Sequence, residues 1–136
     1  MPSAPWPEAP SWFMVALMRK LLLLAATICL ALIVYATLTK IAGKPTLMSH
    51  RAYWVVAIER FGAYGLLGCL LSFLLSGRFA VSIVLVVGVA IVLEAAQALI
   101  PSRDPSMVDV IQKSAGGITG VLLAQIVLMF LPRRPS

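Results

Sequence analysis

Glu94, Gln97, Arg103, Asp104, Asp109 and Lys113 straddle the end of one apolar run and the start of the next, and Gly116, Gly117 and Gly120 follow directly. Ionisable groups at membrane depth cost roughly 2.5–3.5 kcal/mol each on insertion scales, so they are paired or functional. A desolvated carboxylate such as Glu94 can hold a proton, contact a head group, or lock two helices as an ion pair. The Arg103 guanidinium has the fork geometry that grips phosphate. Asp104 can pair with Arg103, and Gln97 can hydrogen-bond across helices.

Composition sets the class of element that must carry these groups. A hydrophobic fraction of 61%, with only 12% charged residues, describes a membrane-embedded chain. The formal net charge of +6 comes from basic residues scattered between apolar runs, not from a stripe. They read as topology anchors, which argues against a nucleic-acid partner.

Pro2, Pro5, Pro7 and Pro10 resist helix, so residues 1–18 are expected as a flexible proline-rich tail. Met18, Arg19 and Lys20 before an apolar stretch resemble the opening of a secretory signal. The run continues to Thr39, however, well past the usual apolar core of about 7–15 residues, so an uncleaved first span is expected. Four spans emerge, at about 21–39, 52–76, 79–100 and 108–131. Each has the roughly 20 residues needed to cross about 30 Å of hydrocarbon. The expected fold is all-α, an integral membrane bundle of four transmembrane helices occupying residues 19–136.

Arg19, Lys20, Arg78, Arg133 and Arg134 share one face of this arrangement. Lys40, Lys44, Arg51, Arg60, Arg103 and Lys113 lie toward the other. Arg60, Arg103 and Lys113 belong to the polar cluster, where pairing fixes them. Without them the positive-inside rule puts both termini in the cytoplasm of a multi-pass plasma-membrane protein.

That topology adds Glu59 and Arg60 of the second span to the cluster. At 1.5 Å per residue, Glu59, Arg60, Glu94 and Lys113 all sit roughly 7–10 Å below the loop-proximal ends of their helices. Glu94 and Gln97 share one helical face, as do Asp109 and Lys113. The candidate pocket is therefore Glu59, Arg60, Glu94, Gln97, Arg103, Asp109 and Lys113.

Structural roles stand beside each functional one. Asp109 at the start of the fourth helix suits the helix dipole and free amides. Gly116 and Gly120 form a small-xxx-small pair, with Gly117 beside them and Gly62, Gly65 and Gly68 on the second helix, for close packing of helices two and four. His50 is a lone loop histidine, and Tyr53 and Trp54 suit an interfacial belt. Cys29 and Cys69 lie inside apolar runs without metal-ligand spacing and read as small buried hydrophobes. No nucleotide loop, metal motif or nucleophilic triad is present, so no cofactor is expected.

Glu94-Ala-Ala-Gln97, then Pro101, Arg103, Asp109, Gly116 and Gly120, resembles in order and spacing the signature of the VanZ-like family, named for a teicoplanin-resistance protein. Upstream, Arg60-Phe61-Gly62-Ala63-Tyr64 followed by Leu67-Gly68 is similar to the family's His-Phe-x-x-Tyr-x-x-Leu-Gly. The resemblance covers residues 52–120. Three positions differ: Ser102 stands for a loop glycine, Arg60 for histidine and Lys113 for asparagine, which makes this copy more cationic. The resemblance implies a small bacterial inner-membrane protein linked to glycopeptide sensitivity.

The expected function is an outer-leaflet polar pocket that engages a cell-envelope component, a lipid or lipid-linked head group. The alternative is a membrane-embedded hydrolase or transferase acting on a lipid phosphate, with Glu94 or Asp109 as general base. A small proton-coupled exporter and a purely structural bundle are the other readings. Oligomeric state is not legible.

Overall fold

The computed structural model describes residues 10–39, 51–76, 78–99 and 106–131. They form α1 (Ser11–Thr39), α2 (Arg51–Leu74), α3 (Phe79–Ala98) and α4 (Met107–Phe130). All four are long and apolar enough to cross a membrane. The protein is a four-helix, multi-pass membrane bundle.

α1 begins at Ser11, so residues 11–18 are helix and not the tail expected from the prolines. The last proline before the helix is Pro10, and its carbonyl accepts the Phe13 N–H at 2.8 Å. From Ser11 onward nothing interrupts the amide ladder, and Trp12 to Leu17 are residues a helix accommodates. The opposite terminus is set by proline too. Pro132 disfavours helical backbone in the residue before it, and Leu131 turns to extended geometry at ψ 131°. Between α2 and α3 the connection runs only over residues 75–78, where the Arg78 N–H donates to the Leu75 carbonyl at 2.8 Å. So short a turn forces antiparallel neighbours.

On α3 and α4 the inward faces are mostly small or polar and the outward faces large and apolar. On α3 the buried residues are Ser82, Val86, Ala90, Glu94 and Gln97, a stripe stepping by four and then three. On α4 they are Lys113, Gly116, Gly117, Gly120, Val121 and Ala124, again one face of a 3.6-residue period. Bulky side chains such as Ile58, Val84 and Leu123 point outward. In water this would be inverted. In lipid, burying a leucine gains little, so close backbone approach and polar pairing select the interface residues.

The most extensive helix contact joins α2 and α4. A Cβ on Gly116 would strike the Phe61 backbone, one on Gly120 the Gly65 carbonyl, and one on Gly68 the Gly117 carbonyl. Only hydrogen fits at these crossings. Val86 of α3 drops its Cγ1 onto Gly117, in the space any side chain there would need. Gly62 faces open space and takes no part in this seam. At the other end of the pair, the Gln125 amide donates to the buried Ser72 hydroxyl at 2.9 Å. α1 contacts mainly α2 and is held more lightly, with the Cys29 thiol against the Ala63 carbonyl at 3.8 Å.

Candidate functional site

Glu94 extends the inward stripe of α3 and Lys113 begins that of α4, so each long side chain leaves its helix toward the other. They form a buried ion pair, the residues being 6% and 2% exposed. The second carboxylate oxygen of Glu94 accepts the Ser106 N–H at 3.2 Å, at the residue that precedes α4. Glu94 thereby holds both the start of α4 and a side chain lying two turns into it. Desolvation makes such a pair costly unless its geometry and hydrogen bonding are good, and a broken pair costlier still.

A second ion pair joins Arg60 of α2 to Asp109 in the first turn of α4, with both side chains half-buried. Asp109 also sits where the helix dipole favours a negative charge. Two pairs therefore connect three helices, α3 to α4 and α4 to α2. Measured along the helix rise, Glu94, Lys113 and Arg60 lie about 6, 9 and 13 Å in from the adjacent ends of α3, α4 and α2. They occupy one end of the bundle.

Gln97 is buried one turn beyond Glu94, and Glu59 is exposed on α2. Arg103, Asp104 and His50 fall outside the described residues. Gly116, Gly117 and Gly120 are buried at the α2–α4 seam directly below Lys113.

These groups do not fill the space beside them. A partly open cleft of about 650 Å³ runs between α1 and α2. Glu59, Arg60, Tyr64, Gln97 and Lys113 line its polar end. Its apolar walls include Ile28, Cys29, Leu32 and Ile33 of α1 and Leu66 and Leu70 of α2. Glu94 and Asp109 are not among the lining residues, so each acid stands behind the cation it holds.

Sequence reasoning about charge missed two parts of this site. Tyr64 is 2% exposed, and its hydroxyl is buried with no hydrogen-bond partner among the described residues. The available signal was its spacing, four residues after Arg60 and thus on the same helical face. The α1 wall carries no such signal, since an apolar helix without polar positions does not declare which side faces protein.

The helices that build this polar end lie within the stretch of chain that matches a known family. A family model described as VanZ/LLP1 matches residues 13–128. The chain belongs to the VanZ/LLP1 family. The match takes in α1 as well as the region from residue 52 to 120 where the motifs lie, so the helix forming the far wall of the cleft is part of the family's shared unit. No curated protein and no solved structure matches the chain.

Proposed function

We propose that this VanZ/LLP1 family member binds an amphiphilic component of the bacterial cell envelope in the α1–α2 cleft. The head group sits at the Arg60–Lys113 end and the hydrocarbon lies along the apolar walls. The observation carrying this reading is one continuous cavity with buried charge at one end and only apolar side chains along the rest. Its volume falls within the roughly 300–1,000 Å³ of small-molecule sites. From Arg60 to Leu70 the cleft follows α2 for about 15 Å. That is half of the roughly 30 Å hydrocarbon core, the depth of one leaflet. With both termini cytoplasmic, as the basic flanks favour, the Arg60–Lys113 end of the cleft lies on the outer-leaflet side of the inner membrane.

Binding is favoured over general-base catalysis by the state of the acids. Glu94 and Asp109 each face a cation, and neither lines the cavity a substrate would enter. The physiological consequence we assign is an altered envelope and a changed sensitivity to the glycopeptide teicoplanin.

Mass spectrometry of lipids retained by protein purified in mild detergent tests the reading. The wild type is expected to retain one lipid class above its share of the membrane. Ile28→Trp, which fills the cleft, should lose it, whereas Ile58→Trp on the outer face of α2 should not. Equal retention by the two variants, or no enrichment in the wild type, overturns the proposal. Teicoplanin susceptibility of a deletion strain carrying the same two variants reads the consequence.

A further inference from the structure

The hydrogen-bonding character of the cleft's polar end narrows the ligand. Arg60 and Lys113 carry only donors. Each uses part of its donor set on an acid behind the wall, Arg60 on Asp109 and Lys113 on Glu94. Lys113 has three N–H groups and Arg60 five, which leaves donors free to turn to a ligand. Tyr64, one helical turn below Arg60 on the same face, lines the same end. Its buried hydroxyl lacks a partner among the described residues, and leaving such a group unsatisfied costs about 1–3 kcal/mol. Glu59 is the one carboxylate on this wall among the described residues, and it is exposed, outside the buried set. The buried or half-buried groups at this end are thus two cations, the Tyr64 hydroxyl and the Gln97 amide, a set in which donors outnumber acceptors.

From this we infer that the polar end is a phosphate site, and that the ligand is a lipid whose head group carries a phosphate within reach of Arg60, Tyr64 and Lys113. The inference rests on the amphiphile reading of the cleft and adds the chemistry of the head. Phosphate supplies acceptors for the N–H and O–H groups that Arg60, Lys113 and Tyr64 leave unused after their pairs with the acids. Glu94 and Asp109 serve as positioning residues, holding Lys113 and Arg60 at the wall in one geometry before the lipid arrives. The apolar walls make the ligand a lipid and not a free phosphate, because a water-soluble ion leaves the cleft below Tyr64 empty.

The test uses the full-length protein in dodecyl maltoside micelles, which carry no phosphate, doped with either of two probes. One is phosphatidic acid with a photoactivatable acyl chain, and the other is diacylglycerol bearing the same chain. After irradiation, labelled peptides are counted by mass spectrometry. Phosphatidic acid is expected to label the α1 segment containing Ile28 and Ile33 at least tenfold more than diacylglycerol. Tyr64→Phe, which removes only the orphan hydroxyl and leaves both ion pairs intact, should cut phosphatidic acid labelling several-fold and leave diacylglycerol labelling unchanged. Excess glycerol 3-phosphate in the buffer should leave the phosphatidic acid labelling as it was.

Equal labelling by the two probes, unmoved by Tyr64→Phe, overturns the phosphate assignment while the amphiphile reading stands. Absence of cleft labelling by either probe overturns both. Displacement by glycerol 3-phosphate overturns the assignment to a lipid and makes the ligand a soluble phosphate.

Discussion

Removing one member of the Glu94–Lys113 pair should damage the bundle far more than removing both. The two side chains are only 8% and 3% exposed, so neither charge reaches water if its partner is lost. Glu94→Gln keeps an acceptor for the Ser106 N–H but leaves the buried Lys113 ammonium without its counter-ion. Lys113→Met leaves a carboxylate with one backbone donor. Breaking a buried pair costs about 3–5 kcal/mol, whereas replacing the whole pair with uncharged groups of similar volume is often neutral or stabilising. Each single variant is therefore expected to lose about 3 kcal/mol or more, and the double variant much less than their sum.

Arg60–Asp109 provides an internal comparison, since its side chains are 21% and 18% exposed. The same cycle there should give coupling on the order of 1 kcal/mol, weakened by salt. Reversible unfolding in mixed micelles, followed by tryptophan fluorescence across a denaturing-detergent titration, measures the wild type and all six variants. Additivity at Glu94 and Lys113 to within about 0.5 kcal/mol would refute the reasoning, because uncoupled sites behave that way. A coupling at Arg60–Asp109 larger than at Glu94–Lys113 would refute the burial argument specifically.

Gly120→Ala is expected to destabilise by about 1–3 kcal/mol, because its Cβ meets the Gly65 carbonyl and forces α2 from α4; Gly62→Ala meets nothing and should be neutral or stabilising by up to about 1 kcal/mol in the same titration. Gln125→Leu removes the donor to the fully buried Ser72 hydroxyl and should cost about 0.6–2 kcal/mol. Ser72→Ala introduced on top of it should recover part of that loss, and no recovery would show that the link between α2 and α4 is energetically idle.

Which features were legible in the sequence follows from what sets them. Four spans could be read because length and apolarity are properties of a segment by itself, and a lipid bilayer demands both. The family motifs and the glycine spacing could be read for the same reason, since helical rise and period are local. The expected common depth of about 7–10 Å instead spreads to about 6, 9 and 13 Å for Glu94, Lys113 and Arg60, because the helix ends differ from the span ends read from the sequence. Only the tertiary structure decided the partners. Lys113 was free by spacing to meet Asp109 on its own helix, yet it turns to Glu94 of α3 while Asp109 reaches Arg60 of α2. Helix rotation fixes that choice, and it is set by where Gly116, Gly117 and Gly120 allow backbones to approach. The cleft is a tertiary object: its walls come from two separate helices, and α1 does not mark its inner face by polarity. The start of α1 at Ser11 fell between the two cases, a local decision in which the absence of proline after Pro10 outweighed the proline-rich stretch before it.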